Sequence, residues 1–316
     1  MRRLAIGSVL ALVVLGFPFA VRLPFPQHLM IMIFLYAAMA QAWNILSGYC
    51  GQISLGQAVF FGVGAYTSTL LLVKGGVSPW IGMAAGAAAA AGIALLIGYP
   101  CFRLAGHYFA IATIAVGEIV QTLFINWGWA GGAVGLYVPI LPEGIGNLEF
   151  HTTKVPYYYI ALAIAALAFG AAAAIERSKM GYYFRAIKND PVAARSVGIR
   201  ITRYKLAAVA VSAFLTAIPG AFYAQYVLFI DPESVLPIML SILICLVAVL
   251  GGAGTLWGPL LGPAVLLPLS EGTRVYLGGG GKALDLMIYG ALIVLISIFE
   301  PGGLMGLARR LRRTVR

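Results

Sequence analysis

Charge is the scarcest property of this sequence. Only 10% of its 316 residues are Asp, Glu, Lys or Arg, whereas a soluble domain carries about a quarter. A soluble globular protein is therefore the wrong class. Cysteine is almost absent too, and Cys50, Cys101 and Cys245 form no CxxC pair and show no metal-ligand spacing. They read as small packing residues. His28, His107 and His151 are equally scattered, so no metal site and no histidine-based nucleophile can be assembled. A G-x-x-x-x-G-K-[ST] loop is missing as well. Its nearest imitation, GGGGKA at 278–283, has Ala283 where the hydroxyl residue belongs and Tyr276 where the first glycine belongs. The chain has no ATPase site of its own, so any energy source is a separate protein or an ion gradient.

What the sequence has in abundance is apolar length. Hydrophobic residues make up 61% of it, and the mean hydropathy is +0.95. The net charge of +11 does not mark a nucleic-acid partner, because the basic residues sit in short gaps between apolar runs. A bilayer core about 30 Å thick needs roughly 20 helical residues. On that ruler the candidate spans are 4–20, 28–46, 56–73, 80–98, 106–125, 156–175, 206–228, 236–251, 257–270 and 284–299. The third and ninth are short or interrupted by Gly and Pro. The expected fold is an all-α polytopic membrane protein with about 8–10 transmembrane helices, some short or broken: ten crossings, or eight plus two re-entrant pieces.

Basic residues collect in cytoplasmic loops, and with the N-terminus inside, 16 of the 21 Lys and Arg residues fall on the inner side. Both termini are then cytoplasmic. The start MRRLAIGSVLALVVLGFPFA has the look of a signal peptide, yet no clean A-x-A site follows, and it reads as a retained first helix. The outer connection 126–155 carries Trp127 and Trp129, suited to an interfacial aromatic belt. Exposed carboxylates for a docking partner are expected there and nearby at Glu143, Glu149, Asp231 and Glu233.

The inner connection 176–205 is the sizeable polar segment on the cytoplasmic side. In it, Asp190 and Pro191 signal a helix start, and Gly198 signals its stop. Ala193, Ala194 and Arg195 lie on the short helix between them. Two readings are open: an amphipathic helix held at the membrane surface by anionic lipid, or a helix whose small side chains dock into another protein.

The stretches SGYCGQISLGQAVFFGVGAYT, GHYFAIATIAVGEIV, RSKMGYYFRAIKNDPVAARSVGI, TRYKLAAVAVSAFLTAIPGAFYA and GGAGTLWGPLLG resemble, in order, the permease subunits of branched-chain amino acid ABC importers of the LivM type. That resemblance spans about residues 40 to 300. It implies a single permease domain over 1–316, with 176–205 as its coupling loop, in the bacterial cytoplasmic (inner) membrane. It also implies four kinds of partner: a second permease subunit, two cytoplasmic ATPases, an extracytoplasmic binding protein and membrane lipid. The chain itself would bind no cofactor, and ATP would be used by the partner subunits. VAARSVG at 192–198 matches the family's EAA…G pattern at Ala193, Ala194 and Gly198, with Val192 in place of the Glu. The docking role follows from the resemblance; a specific acidic contact at 192 does not. Leucine, isoleucine and valine lead as substrates, with other amino acids, urea or short amides as alternatives.

Candidate pathway residues come from buried polarity. Glu118 stands about 18 Å along its span at 1.5 Å per residue, where an ionisable group needs a polar neighbour or a water-filled cavity. Its structural alternative is hydrogen bonding to Thr113, Gln121 or Thr122. Ser54 and Gln57 form a Ser-x-x-Gln capping signature for a helix starting near Leu55. Such a start offers free N–H groups to a substrate carboxylate. Gln52, Ser54 and Gln57 therefore read as pathway lining, against tight helix packing through small residues. Pro219, Pro263 and Pro268 are expected to interrupt helices, with Pro219 and Pro263 as hinges or, equally, as mere kinks. The rival class is an ion-coupled secondary transporter, which needs ionisable coupling residues that this chain supplies almost only through Glu118. A membrane enzyme has no nucleophile and base pair to work with.

Overall fold

The computed structural model describes residues 13–21, 23–104, 106–276, 290–291 and 302–314. Most of the expected first span, nearly all of the tenth and the 278–283 turn lie outside these residues.

Proline sets several helix starts, since its fixed φ and missing N–H cost nothing in a first turn. It stands at the first or second position of α1 (Pro24–Trp43), α3 (Pro79–Cys101), α5 (Val155–Arg177), α7 (Pro191–Ser196) and α9 (Pro232–Val235). Further helices are α2 (Gln57–Gly75), α4 (His107–Asn126), α6 (Lys179–Asn189), α8 (Ile201–Val227), α10 (Ile238–Gly251), α11 (Gly258–Tyr276) and α12 (Gly303–Thr314). α1 runs on into a six-residue π-helix, Asn44–Tyr49. The only sheet among the described residues is a two-residue antiparallel pair, Leu136–Tyr137 with Phe229–Ile230.

The protein is an all-α, multi-pass membrane protein. Seven stretches among the described residues are long and apolar enough to cross a bilayer: Pro24–Tyr49, Gln57–Gly75, Pro79–Cys101, His107–Asn126, Val155–Arg177, Ile201–Val227 and Pro232–Gly251. The expected ninth segment is the Pro-containing helix α11. Neither α8 at Pro219 nor α11 at Pro263 and Pro268 is interrupted, a correction to the sequence reading. Neighbouring helices can satisfy the one carbonyl each proline frees, so the helix continues.

Between apolar helices in lipid, close packing replaces the hydrophobic effect as the main attraction, which favours small residues at the contacts. α2 and α8 meet in this way. A Cβ at Gly64 would overlap the Ala217 carbonyl, and one at Gly220 would overlap that of Phe61. α10 and α11 repeat the device, with Gly262 against the Val247 carbonyl. α1, α2 and α8 form the buried centre. α4 is peripheral, burying only Phe109 and Thr113.

Side-chain contacts sort the loops into two ends. At one, Ser78 Oγ donates to the Gly146 carbonyl (2.9 Å), Trp80 Nε1 donates to that of Ile145 (2.6 Å), and the strand pair joins 136–137 to 229–230. At the other, 44–56, 178–200 and 252–257 lie together through Lys188, Asn44 and Gln41. That second end carries most of the basic residues of the long polar loop.

Candidate functional site

The broken segment after α1 packs Ile45, Leu46, Tyr49 and Cys50 into the core and is fixed by polar contacts within the chain. Gly51 takes φ +74° and turns the backbone back, so that Gln52 N–H donates to the Leu46 carbonyl (3.2 Å). Ser47 Oγ donates to the Gln52 carbonyl (2.8 Å) and accepts from Ser54 N–H (3.3 Å), while Trp43 Nε1 donates to the Ser54 carbonyl (2.8 Å). The capping box does not form. α2 starts two residues later than the sequence reading placed it, with Gly56 at the N-cap, and no side chain caps it. The Ser54 hydroxyl accepts from Gly56 N–H (3.3 Å) instead, because short polar side chains readily bond to nearby backbone in non-helical turns. Other helices supply acceptors around the start of α2: Thr113 Oγ1 accepts from Leu55 N–H just before it (3.0 Å), and Ser241 Oγ from Ala58 N–H in its first turn (2.8 Å).

Gln57 is fully buried. Its Nε2 donates to Ser212 Oγ (2.8 Å) and Thr216 Oγ1 (3.2 Å) on α8, and its Oε1 has no hydrogen-bond partner among the described residues. The cavity bordered by Ser54, Gly56, Phe60, Phe109 and Val209 has a volume of only ≈ 20 Å³, and Gln57 does not line it. In this conformation Ser54 and Gln57 fasten α2 to its neighbours, and Gln52 is half-buried at the turn.

Glu118 lies elsewhere. Thr113 turns the inner face of α4 toward residues 55–56, and Glu118, five residues on, is exposed on the outward face. Among the described residues no hydrogen bond or ion pair engages its carboxylate, and the expected bonds to Thr113, Gln121 or Thr122 are not formed. Gln121 reaches the Pro232 carbonyl (3.4 Å) instead. Glu118, Thr122 and Asn126 follow one another at four-residue spacing, one stripe of a helix. Together with Ile119, Leu123 and Trp127 they line an open groove of ≈ 700 Å³. The structure thus separates the four residues read as one pathway set: Ser54 and Gln57 are buried with half-buried Gln52 beside them, and Glu118 stands on an exposed stripe of α4.

At the basic end, the expected short helix is present as α7. Asp190 Oδ1 accepts from Val192 N–H (2.8 Å) and Ala193 N–H (3.1 Å), and Gly198 closes the turn at φ +86°. Its small residues do not share a face. Ala194 is buried against the protein, while Val192 and Val197 are 74% and 77% exposed, and Ala193 and Arg195 are also exposed. Sequence reasoning missed α6 just before it. Gly181, Phe184 and Ile187 are its buried residues, a three-residue spacing that would have revealed it.

At the opposite end Glu149 is fully buried, contrary to its reading as an exposed carboxylate. Its Oε2 accepts from Leu141 N–H (2.7 Å) and lies 3.3 Å from His151 Nε2, since an inward-turned carboxylate needs donors. Glu143 is exposed. The Thr152 hydroxyl, followed by the Thr152 and His151 N–H groups, holds its carboxyl below the usual range.

Comparison with known proteins adds an independent line. The family described as branched-chain amino acid transport system / permease component matches residues 25–297. The high-affinity branched-chain amino acid transport system permease protein LivM of Salmonella typhimurium is 29% identical over 301 residues, covering 88% of this chain and 69% of the relative. LivH of Escherichia coli, the permease protein of the same description, is 26% identical over 289 residues, covering 86% and 91%. The nucleoside ABC transporter permease protein NupC of Lactococcus lactis is 25% identical over 198 residues, covering 58% and 61%. No solved structure matches.

Proposed function

The chain belongs to the permease component family of branched-chain amino acid transport systems, and from that premise we propose that it is the membrane subunit of an ABC importer driven by separate ATPases. The observation that carries this reading is α7. A short helix fixed by the Asp190 cap and by buried Ala194 presents Val192, Ala193 and Val197 outward at the basic end. Exposed apolar residues on a rigidly seated helix fit a protein partner better than solvent. Two such ATPases, one under each of two permease subunits, complete the cytoplasmic side. The basic residues of its loops support a cytoplasmic position for this end, with the chain in a bacterial inner membrane.

The second permease subunit covers the outward face of α4. A carboxylate halfway along a membrane helix is costly against lipid, so Glu118 faces a water-filled path shared with that subunit. Along this path Glu118 attracts the ammonium group of an amino acid, Thr122 and Asn126 offer hydrogen bonds, and Ile119 and Leu123 accompany a branched aliphatic side chain. Leucine, isoleucine and valine are the proposed substrates, delivered by an extracytoplasmic binding protein that docks at the 128–154 end. Alternating access follows when ATP-driven movement of the ATPases shifts α7.

The test is reconstitution with a second permease, the ATPases and the binding protein in liposomes without ion gradients. ATP on the ATPase side is expected to drive leucine uptake. Uptake by this chain alone, driven by a sodium or proton gradient, would replace the ABC reading with secondary transport.

A further inference from the structure

Lys188 sits two residues before the Asp190 cap of α7, and its side chain reaches away from α7 toward the membrane segments. Its Nζ donates to the Gly48 carbonyl at 2.8 Å, inside the π-helix Asn44–Tyr49. Three glycines shape the seat. A Cβ at Gly51 would stand 2.8 Å from Lys188 Cγ, and one at Gly254 would stand 3.3 Å from its Nζ and 3.2 Å from the Gly48 oxygen. A Cβ at Gly48 itself would overlap the Asn44 side chain. Both irregular breaks in the membrane helices, 47–56 and 252–257, therefore close around one lysine from the polar loop.

The same point is tied further inward. Asn44 Oδ1 accepts from Gly254 N–H (2.6 Å), its Nδ2 donates to the Thr255 carbonyl (2.9 Å), and Gln41 Nε2 donates to that of Leu256 (3.3 Å). A π-helical turn is a local irregularity that can relax to α-helical bonding, and such turns gather at functional sites. The Gly48 carbonyl held by Lys188 belongs to that turn, and the chain continues from it through Gly51 to Ser54 and Gln57.

We propose that Lys188 is the positioning residue through which movement of the Pro191–Ser196 helix reaches the two broken membrane segments. The claim rests on the ABC reading, because it needs a partner that moves α7. With α6 and α7 packed as one cytoplasmic unit, displacement of α7 carries Lys188 with it. Lys188 in turn holds or releases the Gly48 carbonyl and so shifts the 44–56 and 252–257 turns together. A charged donor on a backbone carbonyl suits this use, since it can break and re-form without repacking a core.

The experiment compares wild type, Lys188→Met, Gly51→Ala and the double variant in the full reconstituted complex, reading leucine uptake and ATP hydrolysis together. Lys188→Met keeps the stem in its seat and removes only the donor. It is expected to lower uptake per ATP hydrolysed about fivefold, the ratio that ~1 kcal/mol of one net hydrogen bond supplies. Gly51→Ala pushes the same side chain aside and also strains its turn at φ +74°, so it is expected to lower the ratio at least as much. The double variant should then be no worse than Gly51→Ala alone, the non-additivity of residues sharing one contact. An unchanged ratio with normal wild-type uptake overturns the proposal and leaves the ABC reading intact. Parallel loss of uptake and hydrolysis, or a Lys188→Met complex that does not assemble, makes Lys188 a structural residue and also overturns it. A wild-type complex with no ATP-driven uptake overturns the ABC reading and this proposal with it.

Discussion

Asn44 bonds with both hydrogen-bonding ends of its side chain to a loop more than two hundred residues away: its Oδ1 accepts from Gly254 N–H at 2.6 Å and its Nδ2 donates to the Thr255 carbonyl at 2.9 Å. One buried side chain thus joins the two glycine-rich runs, 47–56 and 251–258, that interrupt the membrane helices. Such a contact in the interior leaves two backbone groups without partners if it is removed.

Asn44→Ala is therefore expected to destabilise the detergent-purified protein by about 2 kcal/mol, the cost of leaving buried polar groups unmade. Asn44→Asp sets a carboxylate oxygen against the Thr255 carbonyl in a fully buried site, two acceptors face to face, so it should cost at least as much as Asn44→Ala. Thermal unfolding followed by tryptophan fluorescence checks the order, and equal Tm values for all three proteins would show that the bridge is not formed.

Gly64 and Gly92 make a paired comparison. A Cβ at Gly64 would overlap the Ala217 carbonyl, while one at Gly92 meets nothing within 4 Å. Gly64→Ala must force α2 from α8 and is expected to cost at least ~2 kcal/mol, at the upper end of overpacking. Gly92→Ala should be neutral or stabilise by up to about 1 kcal/mol through helix propensity. Monodisperse yield in detergent reads the difference directly.

Much of the fold was legible in the sequence because lipid demands long apolar runs, and seven of the expected spans appear with ends shifted by a few residues. The α7 cap was legible as well, since Asp-Pro and Gly act locally. Exposure was not. Whether Ala194 or Ala193 turns inward depends on α6, and whether Glu118 or Glu149 is buried depends on which helix or loop neighbour arrives. Ser54 and Gln57 were misread for the same reason. Their spacing fits a capping box, but Ser212 and Thr216, far along the chain, take Gln57, and Gly56 takes Ser54. The prolines misled because lone-helix physics predicts a break that a packed bundle absorbs.

On α7 the burial pattern separates two neighbouring alanines. Ala194 is 3% exposed, so Ala194→Trp must clash inside the protein and is expected to abolish assembly. Ala193 faces outward, and Ala193→Trp should leave the purified permease intact while lowering its binding of the ATPase subunits about tenfold or more, the effect of blocking one well-packed interface position. Pull-down of the ATPases alongside size-exclusion profiles distinguishes the two. Normal ATPase binding by Ala193→Trp would remove α7 from the interface.

The loop holding Glu143 and Thr152 has a predictable acid response. Glu143 accepts from the Thr152 hydroxyl and from the Thr152 and His151 N–H groups, which lowers its pKa from the usual value. A carboxyl depressed in the folded state contributes stability that is present above the unfolded pKa and lost as pH falls through the folded one. Amide exchange at His151 and Thr152 should accordingly quicken below the usual carboxylate range. Glu143→Gln should make that exchange fast already at neutral pH and nearly independent of acidification.

The central claim is that the Glu118 face of α4 borders the path of an ATP-driven permease. Its most direct measurement is labelled leucine uptake by the reconstituted complex, with and without ATP, for wild type and Glu118→Ala. The account predicts ATP-dependent uptake by wild type and a fall of about tenfold or more in Glu118→Ala, the loss expected for one charged contact, with the complex still assembled. Uptake that does not need ATP, or uptake that Glu118→Ala leaves unchanged, would contradict it.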